Sequence, residues 1–295
     1  MKKLFLFLLF ITIFSYVNFA QVPRAPQVQS DFDGDGRGDL AVFRPSNGTW
    51  YMQRTRDGFA AVQFGLASDK LVPADYDGDE KTDIAVFRPD NGFWYIRTAR
   101  LGDIYVQFGL ADDIPIPADF NGDGKAEIAV FRPSNGTWYF YNLVNNQFSA
   151  FQFGQVGDIP VVADYDGDGK ADIAVFRNGF WYIQRSRDGF LAVPFGQTGD
   201  KPIPGHYDAD GKVDIAVFRP ENGFWYALRS TEGFSAFHFG FSTDKLIPTD
   251  YDGDLKTDIA VYREGMWYLQ RSNLGFAAFR FGNADDIPIP NSLVP

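Results

Sequence analysis

Six times in this 295-residue chain, a nine-residue acidic word leads into a short apolar run. The words begin at Asp31, Asp75, Asp119, Asp164, His206 and Asp250, spaced 42 to 45 residues apart. A fixed period of that length means a series of like units, none of which can bury its apolar face alone. Whatever the chain folds into must repeat six times and stack its copies against one another.

Each copy continues in the same way. The run after the fourth word, Asp172–Phe176, is apolar at successive positions, so its strand is buried on both faces. A turn follows, Pro-x-Asn-Gly at Pro45–Gly48, Pro89–Gly92, Pro133–Gly136 and Pro220–Gly223. Copies four and six shorten it to Asn178-Gly179 and Glu264-Gly265. Asn-Gly favours the positive φ angles of a hairpin turn. A Trp-Tyr strand comes next, at Trp50, Trp94, Trp138, Trp181, Trp225 and Trp267. A third strand ends in Phe-Gly, at Phe64, Phe108, Phe153, Phe195, Phe239 and Phe281. Last comes a short segment such as Asp113–Pro117, whose prolines suit only an edge strand.

Four short strands per period, with no helical periodicity, specify an all-β fold. The expected architecture is a β-propeller of six four-stranded blades, with seven blades or an incompletely closed ring as alternatives. The proline-rich strand would line the axis, and one Trp and one Phe per blade would fill the wedge between sheets. The inner strand occurs once too often, at Val28–Ser30 and again at Asp285–Pro290, so either end could close the ring.

The acidic word has the chemistry of a cation loop. In the fourth, Asp164, Asp166, Asp168 and Asp172 hold positions 1, 3, 5 and 9, with glycine at positions 4 and 6. Calcium takes six to eight oxygens, and a tight loop of alternating acids can deliver them. The first word offers Asp31, Asp33, Asp35 and Asp39, and the second Asp75, Asp77, Asp79 and Asp83. The sixth offers Asp250, Asp252, Asp254 and Asp258. The third substitutes two of its ligands, giving Asp119, Asn121, Asp123 and Glu127, which are still all oxygen. The fifth keeps Asp208, Asp210 and Asp214 but opens on His206, a poor calcium ligand. Position 7 would contribute its backbone carbonyl, from Arg37, Lys81, Lys125, Lys170, Lys212 and Lys256. Five or six Ca²⁺ ions are therefore expected. An EF-hand is excluded, because its twelfth position must be a bidentate Glu and here it is Val in all six words. The words hold 22 of the 38 acidic residues, so bound cations would neutralise most of the −11 net charge.

That negative charge argues against nucleic acid or an anionic membrane surface as partner. The absence of Cys excludes a disulfide framework, a thiol nucleophile and a lipoprotein anchor. Lys2 and Lys3 precede an apolar run, Leu4–Val17, too short for a bilayer span and suited to a secretory signal. We expect residues 1–20 to be a signal peptide, 21–27 a linker and 28–295 the propeller, with no membrane insertion after cleavage. The expected location is extracellular or at the cell surface, with the periplasm as the alternative.

Phe-Gly, an inner strand, D-x-D-G-D-G-x-x-D and an apolar strand together resemble the FG-GAP, or VCBS-type, repeat of integrin α-subunit propellers and bacterial exported proteins. The likeness spans Val28 to Pro290. It departs in having Phe-Arg-Pro where Gly-Ala-Pro is usual, and six copies where integrins have seven. The resemblance implies calcium in the loop joining the first two strands of each blade. It also implies a binding or adhesion role toward an extracellular glycan or protein, with ligands meeting the opposite face. That face would carry the Pro-x-Asn-Gly turns and segments such as Leu66–Lys70 and Gln197–Lys201.

Other features have plainer explanations. Arg37-Gly38-Asp39 spells an integrin-binding tripeptide, but Asp39 is the ninth-position ligand. The sequons at Asn47 and Asn135 sit in turns that already explain Asn-Gly. The Trp-Tyr pairs, placed once per copy, suit packing better than sugar stacking. Arg44, Arg88, Arg132, Arg177, Arg219 and Arg263 recur after the buried strand and should pair with local acids or carbonyls. The only histidines, His206 and His238, stand beside no recognisable nucleophile, so no catalytic constellation is expected. A polysaccharide hydrolase or lyase on the same scaffold, or a purely structural domain, are the alternatives.

Overall fold

A computed structural model describes residues 30–289, and the expected signal and linker segments lie outside them. The described residues form 24 strands in six four-stranded antiparallel sheets. Blade two shows the plan. β4 (Lys70–Leu71) is innermost, then β5 (Ile84–Arg88), β6 (Phe93–Thr98) and, outermost, β7 (Gly102–Gln107). No helix among these residues is long and apolar enough to cross a membrane.

The blades adhere because each alternating strand buries the face that meets its neighbour. Trp50, Trp94, Trp138, Trp181 and Trp267 are fully buried, and Trp225 nearly so. Trp50 and Phe43 of blade one share a core with Ile84 and Val86 of blade two, and the same wedge recurs around the ring. Every indole N–H donates to the carbonyl of its own blade's Phe-Gly phenylalanine, at 2.7–2.9 Å. These Trp residues therefore enter the core with no polar atom stranded. The wedge Phe is that of the apolar strand, Phe43 or Phe87; the Phe of Phe-Gly is only half-buried.

The Asn-Gly turns divide into two kinds. In the shortened turns both residues take positive φ, Asn178 at 48° with Gly179 at 84°, and Glu264 at 50° with Gly265 at 84°. In the longer turns only the glycine does, and Asn works through its side chain. Asn47 Oδ1 accepts from the Thr49 amide, and its Nδ2 donates to the Tyr51 hydroxyl. Gly48 cannot be replaced without strain. Its φ is 62°, and an added Cβ would stand 2.4 Å from the Gly65 carbonyl oxygen.

The second copy of the inner strand closes the ring. β24 (Ile287–Pro288) pairs with β1 (Leu40–Arg44), giving the order β24, β1, β2 (Thr49–Arg54), β3 (Gly58–Gln63). Ile289 is fully buried in the blade-one core, and Ser30 lies in a turn. Arg44 clamps the seam by donating Nε and Nη2 to the two oxygens of Asp286, both at 2.8 Å. Replacing Asp286 with Ala should cost about 3 kcal/mol, because it leaves that guanidinium without its buried partner. Urea titration would measure the loss, and a change below about 0.5 kcal/mol, the level of a surface pair, would show that the seam does not depend on it.

Candidate metal centre and the opposite face

All six acidic loops share one face of the ring with the turns between the third and fourth strands. A backbone bond links each loop to the next. The position-8 N–H donates to the position-1 carbonyl of the preceding loop: Thr82 to Asp31, Ala126 to Asp75, Ala171 to Asp119, Val213 to Asp164, Thr257 to His206 and, across the seam, Gly38 to Asp250, at 2.6–2.8 Å. The position-7 side chain then lies over the neighbour's position-4 glycine. A Cβ on Gly34 would meet Lys81, one on Gly78 Lys125, and one on Gly253 Arg37, at 3.0–3.1 Å.

Inside loops one, two, four and six the carboxylates are held mainly by backbone amides. Asp31 Oδ1 accepts from Gly34 N at 2.7 Å and its Oδ2 from Gly36 N at 2.8 Å. Asp39 accepts from Phe32 N and Thr55 N, both at 2.8 Å. Asp33 Oδ2 accepts from Arg56 N and Asp57 N, both at 2.9 Å. Its other oxygen is buried with no partner, as are Oδ1 of Asp77, Asp166 and Asp252. These four residues are at most 6% exposed. Three-carboxylate groups with ligand atoms within 4.8 Å of one another form in the same loops: Asp31, Asp33, Asp39; Asp75, Asp77, Asp83; Asp164, Asp166, Asp172; and Asp250, Asp252, Asp254. A lone carboxylate oxygen buried among carboxylates is an expensive arrangement unless a cation meets it. An all-oxygen donor set suits a hard ion such as Ca²⁺. The residues present therefore fit the metal the sequence called for.

Loops three and five are built differently. In loop three, Glu127 Oε2 accepts from Phe120 N at 2.9 Å, while Oε1 accepts from the side-chain amides of Asn142 (2.9 Å) and Asn121. In loop five, the His206 ring donates from Nδ1 to the Lys212 carbonyl at 3.0 Å. Asp208 Oδ2 accepts from the Thr231 amide and hydroxyl at 2.8 and 2.7 Å, and its Oδ1 from Asp210 N at 3.4 Å.

The position-5 acids Asp35, Asp168 and Asp254 face the rim, each accepting from a hydroxyl of the adjacent turn: Thr55, Ser186 and Ser272. Asp210 meets Ser230 in the same way. Three positive-φ positions in the acidic loops lack glycine, Glu80 at 66°, Ala209 at 59° and Leu255 at 69°, so the loops keep their shape against local strain. Asp39, the acid of the Arg-Gly-Asp tripeptide, is fully buried, which removes it from any partner's reach.

The opposite face carries the recurring arginines, and they pair as expected. Arg88, Arg132, Arg177, Arg219 and Arg263 form bidentate bonds with Asp69, Asp113, Asp158, Asp200 and Asp244. Each guanidinium also lies 4.3–5.0 Å from the ring centre of its blade's strand Tyr, as does that of Arg44. These aspartates also accept from the backbone three residues back, as Asp69 does from Leu66 N at 2.8 Å. Sequence reasoning passed over them, although an Asp five residues after the Phe of every Phe-Gly was there to be read.

A six-bladed propeller with an acidic loop between the first two strands of every blade is thus the class that fold and site define. The FG-GAP-like repeat family matches residues 31–86 and 119–175, so the six-bladed propeller carries FG-GAP-like repeats in those two stretches. No curated protein matches its sequence significantly. Among solved structures, an Agrocybe aegerita lectin that recognises non-reducing terminal N-acetylglucosamine is similar, with TM-score 0.57 and 17% identity, over 90% of this chain and 80% of the lectin. A streptogramin B lyase is similar with TM-score 0.58 and 8% identity, over 90% of this chain and 86% of the lyase. BBS1N, solved in complex with ARL6DN, gives TM-score 0.54 and 13% identity, over 90% and 83%. At these identities the likeness establishes the fold.

Burial, reinforced by neighbouring carboxylates and only partly offset by backbone hydrogen bonds, pushes the ninth-position acids up. Asp39 and Asp258 rise to about 7, Asp83 to about 8, Glu127 to about 7, and Asp172 and Asp214 to about 6. A carboxylate raised in the folded state favours folding below its unfolded pKa of about 4 and loses that contribution as pH rises through the folded value. Protein stripped over a chelating resin should therefore melt at a higher temperature at pH 5 than at pH 8. Adding Ca²⁺ should narrow or reverse the difference, and scanning calorimetry at both pH values checks it.

Proposed function

We propose that the protein is an exported propeller held together by calcium, acting as a binding or adhesion module for a glycan or protein ligand. The observation that carries the cation half is the buried, unpartnered Oδ1 of Asp33, Asp77, Asp166 and Asp252. Asp31, Asp33, Asp39 and their counterparts would hold the ion, whose charge offsets the crowded carboxylates. The role is structural. Calcium at tenfold over its Kd stabilises a site by about 1.4 kcal/mol, so several sites together approach a domain's net stability.

The ligand half rests on the opposite face. There the residues after Phe-Gly are large, apolar and exposed: Leu66, Leu110, Val156 and Phe241. Between blades five and six a groove of about 220 Å³ is lined by His238, Phe241, Arg263 and Tyr268. Aromatic faces beside a few polar groups suit a sugar ring. The lectin's printed ligand supports this reading by analogy alone.

A glycan array probed with calcium-loaded and chelated protein tests the proposal. Expected are calcium-dependent binding without turnover and a loss of about tenfold or more in Phe241→Ala. Released oligosaccharide would replace the binding role with a hydrolase or lyase on the same scaffold. Absence of binding to glycans and to extracellular proteins would leave a structural domain.

A further inference from the structure

Resting on that cation reading, we infer that the ring takes four cations, in loops one, two, four and six, and that loops three and five are self-satisfied links needing none. The distinction lies in where each position-3 residue sends its second oxygen. In the four cation loops that oxygen is Oδ1 of Asp33, Asp77, Asp166 or Asp252, buried and unpartnered. In loop five the corresponding Asp208 has both oxygens engaged. In loop three the residue is Asn121, whose Oδ1 accepts from Asp123 N at 2.8 Å and whose amide is turned to Glu127.

The ligands around these two positions are diverted as well. The His206 imidazole occupies the place of the position-1 carboxylate and ties up the Lys212 carbonyl, the seventh-position oxygen a cation would use. Position 4 of that loop is Ala209, forced to a φ of 59° where the other loops have glycine. In loop three, Asn142, from outside the acidic word, supplies a second N–H to Glu127. Internal donors thus do in loops three and five what a cation would do in the others. What loops three and five lack is the buried position-3 oxygen left without a donor, so no site in them calls for a cation as Asp33, Asp77, Asp166 and Asp252 do.

The arrangement around the ring is unequal in consequence. Loops six, one and two are consecutive, joined by the Gly38–Asp250 bond across the seam and by the Thr82–Asp31 bond. Loop four stands alone between the two cation-free links, bonded to each through Ala171–Asp119 and Val213–Asp164.

Stoichiometry decides the matter. Full-length mature protein is stripped, loaded with calcium chloride alone and examined by native mass spectrometry, with elemental analysis as a second measure. The expected result is four Ca²⁺ per chain. Asp77→Asn should reduce it to three. The double variant His206→Asp with Ala209→Gly should raise it to five, because it restores the carboxylate, frees the Lys212 carbonyl and relieves the strained turn. Asn121→Asp with Glu127→Asp should do the same in loop three. Five or six ions in the unaltered protein would overturn the inference while leaving the cation reading intact. So would four ions that neither double variant, folded by circular dichroism, increases. No bound calcium at all would overturn the cation reading itself.

Discussion

A single hydrogen bond, made six times, turns six sheets into a ring at the acidic face. The position-8 amide of each acidic loop reaches the position-1 carbonyl of the loop before it, and the last reaches the first through Gly38 and Asp250. Because the bond is made by backbone, it fixes the loop's main chain rather than one side chain. The loop must then curl tightly enough to present its first carbonyl outward and its carboxylates inward. Crowding of negative charge follows from that geometry, and so do the raised pKa values of the ninth-position acids.

The two faces manage charge by different means. On the acidic face the anions converge and are held mainly by backbone amides. On the other, each buried aspartate is answered by an arginine that is itself sandwiched against a tyrosine. Those ion pairs are geometrically complete, with bidentate bonds at 2.5–2.9 Å. They leave that face electrically settled, with apolar side chains such as Leu66 and Phe241 exposed beside the pairs. Converging carboxylates and completed ion pairs are thereby separated by the thickness of a blade.

Much of this was legible in the residues. The period announced the blade count, the prolines named the inner edge strand, and Trp once per copy marked the wedge. The closing strand was not legible, because Val28–Ser30 and Asp285–Pro290 carry equivalent inner-strand text and only three-dimensional pairing separates them. Nor was the conduct of the third loop. Glu127 accepts a hydrogen bond from Asn142, fifteen residues on and in a different turn, which nothing in the acidic word announces. Asn47 was misread in a smaller way, since its value to the turn lies in its amide and not in a left-handed backbone. Composition and period report what a segment is made of, whereas these outcomes depend on which distant group arrives beside it.

The ring is closed by a strand from the far end of the sequence, and this sets an order on biosynthesis. Until Ile287–Ile289 has left the ribosome, the first sheet lacks its innermost member and Val42 and Phe43 have no backbone partner on that side. A nascent chain therefore remains an open arc, its first sheet waiting on the last strand to be made. Completion is deferred to the moment when both ends of the arc can meet, so β1 acquires its inner neighbour last.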